Sequence, residues 1–234
     1  MAENQHRFCM CIPSPNLTSE EQALFASQRA AVLRSTMWQP GQIITVRFLE
    51  GDISLQQRVQ AVAEEWIGSR MANLVLDFRN AGPTDIRIAF QQGNGSWSYL
   101  GTVCRQIPEP KPTMNYGWLT PALPDDELRR VVLHEFGHAL GLIHEHQNPK
   151  GGIRWNRGAV IRDLSGPPNN WDEATIENNM FKAYSQAEVL GSPVDRLSIM
   201  MYPIPASWTL DGFSAGLNGA LTDQDRDIIR QAYP

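Results

Sequence analysis

Cysteine is scarce in this chain: Cys9, Cys11 and Cys104 are the three among 234 residues. So low and odd a count excludes a disulfide-stapled scaffold and leaves free thiols as the expectation. Long apolar runs are also missing, and no segment approaches the ~20 residues that carry a helix across a bilayer. The opening Met1-Ala-Glu-Asn-Gln-His-Arg7 has neither the charged n-region nor the apolar h-region of a secretory signal. The expectation is a soluble protein without a membrane partner, cytoplasmic or exported by a non-classical route. Asn16-Leu-Thr and Asn94-Gly-Ser therefore read as accidental matches to the glycosylation sequon. No run of basic residues exists to neutralise phosphates, and the net charge is −5 with a pI near 5.5, which excludes nucleic acid as a partner. Histidine is rare too, yet four of the five lie between 134 and 146.

What is present describes one globular protein of one or two lobes, 42% hydrophobic and 19% charged, long enough to bury a real core. Residues 1 to about 17, with Pro13 and Pro15, read as an irregular leader. A helix follows from Thr18, with Thr18 as cap and Glu21 three residues on. Strands are expected at Gln42–Leu49, Leu74–Phe78, Asp85–Phe90, Trp97–Val103 and Thr113–Leu119, where β-branched and aromatic residues alternate or cluster between turn signals. A helix capped by Asp52 runs from Leu55 to Gly68, its Val59, Val62, Ala63 and Trp66 forming one apolar stripe. From 147 to 170 the Gly, Asn and Pro content predicts loop. A helical run is expected near Asp172–Tyr184, and a closing helix follows the Thr222 cap. Strands and helices in this order predict an α/β layer arrangement with a largely mixed sheet.

The chain is organised around His134-Glu-Phe-Gly-His138-Ala-Leu-Gly141-Leu-Ile-His144. The acidic first turn Asp125-Asp-Glu and the good helix formers after it place His134 and His138 on one face of a helix spanning about 125 to 140. His144 lies too far along the axis to meet them on a straight helix. Gly141 resolves this, because glycine takes the left-handed conformation that ends a helix and turns the chain back. Three imidazoles with one open position are the donor set of catalytic zinc. Glu135, displaced around the helix from His134, points beside the metal at its water, where a carboxylate can take a proton and pass it to a leaving amine. The implied chemistry is metal-assisted hydrolysis of a peptide bond, with Zn2+ as the cofactor.

The extended motif resembles that of the metzincin clan of zinc metallopeptidases. Ser198-Ile-Met200-Met-Tyr202 resembles the clan's Met-turn, and its S-I-M-x-Y form, with the Glu145-His146 pair, is similar to astacin-type enzymes. Two features differ from the astacin pattern: cysteines are too few for that family's disulfides, and Met201 stands where histidine is usual. The resemblance implies that Met200 floors the metal site and that Tyr202 is a displaceable ligand able to stabilise an oxyanion. It further implies a zincin-like α+β fold, with a twisted mixed five-stranded sheet and two long helices in an upper lobe, about 37–141. An irregular lower lobe, about 142–234, ends in a helix, with zinc in the cleft between. A protein or peptide substrate is then expected to lie extended along the edge strand near 97–103, with the wall of the neighbouring pocket formed by about Pro203 to Phe213. Clan zymogens often block the metal with an N-terminal residue, which makes 1–36 a candidate inhibitory segment ahead of the catalytic 37–234. Cys9 or Cys11 would be its plug, since thiolate is a strong zinc ligand.

Two other readings compete. Gly212-Phe-Ser214-Ala-Gly216 matches a nucleophile elbow, but no histidine follows it and Leu-Asn-Gly-Ala stands where a helix is needed. A catalytically silent or self-inhibited zinc-binding recognition module of the same fold is the alternative function. Glu135 weighs against silence, because losing the general base is the simplest route to inactivity and it is present.

Overall fold

The computed structural model describes residues 7–12, 36–68, 70–148, 152–183 and 193–234. The predicted helix from Thr18, together with Pro13, Pro15 and the Asn16 sequon, lies outside the described residues.

The five expected strands are all present, somewhat shorter than read: β2 Ile43–Phe48, β3 Val75–Phe78, β4 Ile86–Ala89, β5 Ser96–Tyr99 and β6 Met114–Tyr116. A sixth, β1 Cys9–Ile12, comes from the leader that was expected to be irregular. The order across the sheet is β1-β5-β6-β4-β2-β3. All pairings are parallel except β5 with β6, so the sheet is mixed at its β5 edge. β1 lies parallel on that edge, Cys9 opposite Ser96 and Ile12 opposite Tyr99. Its pairing with a remote partner, not its own composition, makes it a strand. The fourth strand of the sequence reading stops at Tyr99 because Gly101 takes φ +50 and opens a 3-10 turn, Gly101–Gln106. A Cβ there would stand 1.9 Å from the Thr36 carbonyl oxygen, so only glycine fits.

Two helices pack together against the sheet. Asp52 caps α1, Ile53–Ala63, by accepting from the Ser54 and Leu55 amides, and Leu55, Val59 and Ala63 are buried. α2, Asp125–Ala139, starts with three acidic residues that complement its dipole and buries every residue from Val131 to Ala139. Three ring donors fix α2: Trp66 Nε1 to the Leu133 carbonyl at 2.9 Å, Trp38 Nε1 to Ala139 at 2.8 Å, and the Tyr233 hydroxyl to Leu140 at 2.6 Å. Tyr233 follows the C-terminal helix, so residues from distant parts of the chain, Trp38 and Tyr233, both grip the end of α2.

Beyond α2 a second apolar cluster forms the lower lobe around Val160, Leu164, Ile176, Tyr202, Ile204 and Trp208. Here the loop expected over 147–170 contains a helix, α3 Arg157–Leu164, capped by Asn156. Its turn-rich flanks hid the short apolar face of Ala159, Val160 and Leu164, which this second core recruits. Asp172 caps α4, Glu173–Ile176, which passes into a π-helical turn, Glu177–Phe181; Tyr184 lies outside the described residues. α5, Asp223–Ala232, closes the chain with a reciprocal capping box between Thr222 and Asp225. Among the described residues, no helix is long and apolar enough to cross a membrane.

Candidate active site

α2 ends in a glycine cap. Gly141 takes φ +93, its amide donates to His138 at 2.8 Å, and Leu142 reaches back to Gly137 at 2.9 Å. This crossed pair of bonds turns the chain under the last helical turn and brings His144 back toward the helix. One donor nitrogen from each of His134, His138 and His144 then lies within 4.8 Å of the other two. The other ring nitrogens are held elsewhere: His134 Nδ1 by the Ile199 carbonyl at 2.8 Å, His138 Nδ1 by Leu142 at 2.8 Å, and His144 Nδ1 by Gln147 Oε1 at 3.3 Å. Each acceptor fixes its histidine as the Nδ1–H tautomer and leaves the Nε2 lone pair pointing inward. His138 and His144 bring two such lone pairs 3.0 Å apart, and His134 Nε2 is buried without a partner. Burial pushes all three imidazoles well toward the neutral form, His138 down to about 4. Neutral, inward-facing and converging nitrogens fit a zinc ion.

Glu135 is fully buried beside this cradle, and neither carboxylate oxygen has a partner in normal hydrogen-bond geometry. Burial raises it to about 8; the neighbouring Cys9 thiol and the Arg130 guanidinium act in the opposite direction. The thiol is thus near enough to act on the carboxylate without making a well-formed bond. Burial also holds the Cys9 thiol well above its usual range. The side chain of Cys11 lies outside the described residues.

Met200 lies beneath α2. A Cβ on Gly137 would fall 2.4 Å from Met200 Sδ, so the glycine inside the histidine motif is what lets the methionine approach. The turn carrying Met200 is tied down by Asp225, whose carboxylate accepts Ser198 Oγ at 2.6 Å and the Ile199 amide at 3.0 Å. The Met200 carbonyl in turn accepts the Glu145 amide at 2.9 Å. Tyr202 packs its ring 4.1 Å from that of His144, and its hydroxyl donates to the Cys9 carbonyl. The structure therefore gathers His134, Glu135, His138, His144, Met200 and Tyr202 in one place. Met201 is buried among the lower-lobe apolar residues, which accounts for an apolar side chain at that position.

Sequence reading missed several supporting residues. Gln147 and Asp225 orient the ligands and the turn, and Arg130, Leu217 and Asn218 join Pro203 in lining the crevice beside His134. Of these, the Thr222-x-x-Asp225 capping pattern carried a signal, but only for the helix start. The second duty of Asp225 comes from a chain reversal that no local pattern records.

A buried cradle of three metal-ready imidazoles with a buried glutamate beside it has the donor set of a zinc metallopeptidase. The family model for astacin, a peptidase family, matches residues 32–207, and the chain belongs to that family. It is similar to the solved structure of myroilysin, with TM-score 0.83 and 42% identity over 86% of this chain and 97% of that one. A second myroilysin structure matches at TM-score 0.66 and 41% identity, over 86% of each chain. High choriolytic enzyme 1, a hatching enzyme zinc-protease from the medaka Oryzias latipes, shares the fold at TM-score 0.55 and 18% identity, over 84% of this chain and 93% of that one. Zinc metalloproteinase nas-38 of Caenorhabditis elegans is 27% identical over 161 residues, 68% of this chain; the chain spans about a fifth (19%) of that relative's length.

Proposed function

We propose that the chain is a zinc-dependent endopeptidase with Glu135 as general base and Tyr202 as oxyanion partner, kept latent by its own leader. The observation that carries this reading is the convergence of three neutral imidazoles beside a buried, unpartnered carboxylate. His134, His138 and His144 would hold a zinc ion, which would supply Lewis acidity to the attacking water and the peptide carbonyl. The Glu135 carboxylate takes a proton from the attacking water and delivers it to the departing amine. Tyr202 already donates its hydroxyl to one peptide carbonyl, that of Cys9. A scissile carbonyl in the same place receives the same O–H as negative charge develops on it. Met200, seated under Gly137, keeps the histidine helix at a fixed height.

The substrate is a polypeptide bound extended along β5. That edge already accepts an added strand, β1, so its backbone groups are competent for pairing. The same pairing is the basis of latency: residues 7–12 fill the cleft, and Cys9 is the leader cysteine that faces Glu135. In this reading the leader, up to about residue 36, precedes a catalytic part spanning 37–234.

The test is cleavage of an unbiased peptide library by the zinc-loaded full chain, before and after a cut introduced between residues 13 and 35. Hydrolysis that appears on cutting and is blocked by 1,10-phenanthroline is expected. Equal activity before and after the cut overturns latency, and no activity in either form overturns the endopeptidase.

A further inference from the structure

The leader does more than lie along β5. Phe8, one residue before Cys9, is only 7% exposed and sits in a socket of three rings. It stacks on Trp208 with centroids 5.6 Å apart and planes at 23°. It meets Tyr202 edge-on at 5.2 Å and 72°, and Trp171 edge-on at 6.0 Å and 63°. Stacked and edge-to-face contacts are the arrangements that aromatic quadrupoles favour, so the socket is shaped for a ring and not merely for apolar bulk.

The walls are held by partners other than Phe8. Trp208 donates its indole N–H to Asp163 Oδ2 at 2.8 Å, the Trp171 amide bonds the Leu164 carbonyl at 3.0 Å, and the Tyr202 ring rests on those of His144 and His146 at 4.1 and 4.9 Å. Trp171 and Trp208 also belong to the apolar cluster of the lower lobe, with Val160, Leu164 and Ile204. Departure of the leader would therefore leave the socket standing and wet, which is the condition in which an apolar ligand gains most by entering.

Its position gives it a purpose. Tyr202 is shared between the socket and the histidine cradle: its ring is one wall, and its hydroxyl holds the carbonyl of the residue next to Phe8. A chain whose scissile carbonyl meets Tyr202 in the register of the leader has the side chain of the residue before the carbonyl's own within reach of Trp171 and Trp208. We infer that the Trp171–Tyr202–Trp208 socket is a specificity site that takes an aromatic side chain of a polypeptide substrate, that of the residue before the one supplying the scissile carbonyl, Phe8 holding the place until release. The inference rests on the reading that the leader fills the substrate cleft of an endopeptidase.

The experiment uses the full chain with a site-specific protease sequence placed between residues 13 and 35, cut after folding. Dissociation of the leader fragment is followed by size exclusion and mass spectrometry, with zinc bound and after chelation. A Phe8→Ala fragment is expected to leave roughly tenfold or more faster than the native one in both states, with Phe8→Tyr restoring most of the retention. After release, the zinc-loaded enzyme is given a peptide library. Phe and Tyr should be selected by roughly 10- to 100-fold at the second position before the cut. Trp208→Leu, which keeps bulk but removes the stacking face, should flatten that selection, lowering cleavage of the Phe and Tyr peptides far more than that of peptides with Ala there. Retention indifferent to Phe8→Ala, or active enzyme with no aromatic selection, overturns the inference. Complete absence of hydrolysis instead sinks the endopeptidase reading, and the zinc-free retention arm still decides whether the socket is selective for a ring.

Discussion

The carboxylate of Asp225, on the C-terminal helix, accepts the hydroxyl of Ser198 at 2.6 Å and so anchors the turn beneath the histidines from the opposite end of the lobe. The same carboxylate takes the Ile199 amide at 3.0 Å and the Thr222 amide at 2.9 Å, one group thus satisfying three donors, two of them buried and the third partly so. Asp225→Ala strands all three. Each buried donor left without a partner costs about 1–3 kcal/mol, partly offset by relaxation, so a loss of about 2–4 kcal/mol is expected. For a chain of this size that lowers Tm by roughly 5–15 °C. Because Ile199 also holds His134 through its carbonyl, zinc affinity should fall with stability. A calorimetric scan and a zinc titration of Asp225→Ala check both; a native zinc affinity in the variant would separate the anchor from the site.

Gly137 and Gly141 serve the motif in different ways, and their alanine variants should differ accordingly. At Gly141 the cost is backbone strain at φ +93, about 1–2 kcal/mol, with no atom nearer than 3.6 Å to a new Cβ. At Gly137 the helical backbone is ordinary, but a Cβ would collide with Met200 Sδ at 2.4 Å and crowd Trp66 Cζ2 at 3.3 Å. Gly137→Ala is expected to cost about 1–3 kcal/mol and to displace Met200 from beneath the histidines. Pairing Gly137→Ala with Met200→Ala should recover part of that loss, whereas Met200→Ala should do nothing for Gly141→Ala. Denaturant unfolding of the single and paired variants measures the coupling.

Glu135→Ala in the cut, zinc-loaded chain should leave the metal content at one equivalent, because Glu135 is not among the converging donors. Peptide cleavage should fall by about 10²–10⁴-fold, the usual contribution of a positioned general base. Metal analysis and kcat/KM on one substrate decide it; zinc lost along with activity would make Glu135 a structural support of the site.

These expectations were unequally legible in the amino-acid order. The helix with His134 and His138, the turn at Gly141 and the Asp52 and Thr222 caps all follow from spacings of three or four residues, which local geometry fixes. β1 and α3 were hidden for the opposite reason: Cys9–Ile12 is a strand only because β5 offers an edge, and Arg157–Leu164 is a helix only because a second core takes its apolar face. The partners of the ligands, Gln147 and Ile199, and the anchor of the turn beneath them, Asp225, are similarly brought in by the fold, and backbone carbonyls such as those of Ile199 and Leu142 leave no mark on a sequence at all.

Removal of the metal should expose a pH-dependent weakness. His138 and His146, both buried, are held down to about 4 from an ordinary value of 6.5. Between those values the unfolded chain binds protons that the folded chain refuses, so stability without zinc falls as pH drops from about 6.5 toward 4. The slope is about 1.4 kcal/mol per pH unit for each such histidine. The buried Glu135 and Glu145 carboxyls, raised to about 8 and about 7, act the other way. Melting curves of the zinc-free chain should therefore show Tm rising slightly from about pH 7.5 to about 6.5 and falling below that, where four lowered histidines outnumber two raised carboxyls. With zinc bound the curve should stay flatter until the ligands protonate and the metal leaves.

The thiols give the opposite sign at high pH. Burial raises Cys104 to about 12 from 9.0 and holds Cys9 well above its usual range. Above pH 9 the unfolded chain loses thiol protons that the folded chain keeps, so stability falls with rising pH by about 1.4 kcal/mol per unit for Cys104 alone until about 12. The same burial predicts reactivity, since the thiolate is the species that reacts. Iodoacetamide at pH 8 should spare Cys9 and Cys104 in the uncut chain. Cutting between residues 13 and 35 and freeing the leader should make Cys9 react at the rate of an ordinary exposed thiol while Cys104, packed in the upper core, stays protected. Mass spectrometry of tryptic peptides resolves the two sites. Labelling of Cys9 at the same rate before and after the cut would mean that the leader does not hold it against Glu135 in solution.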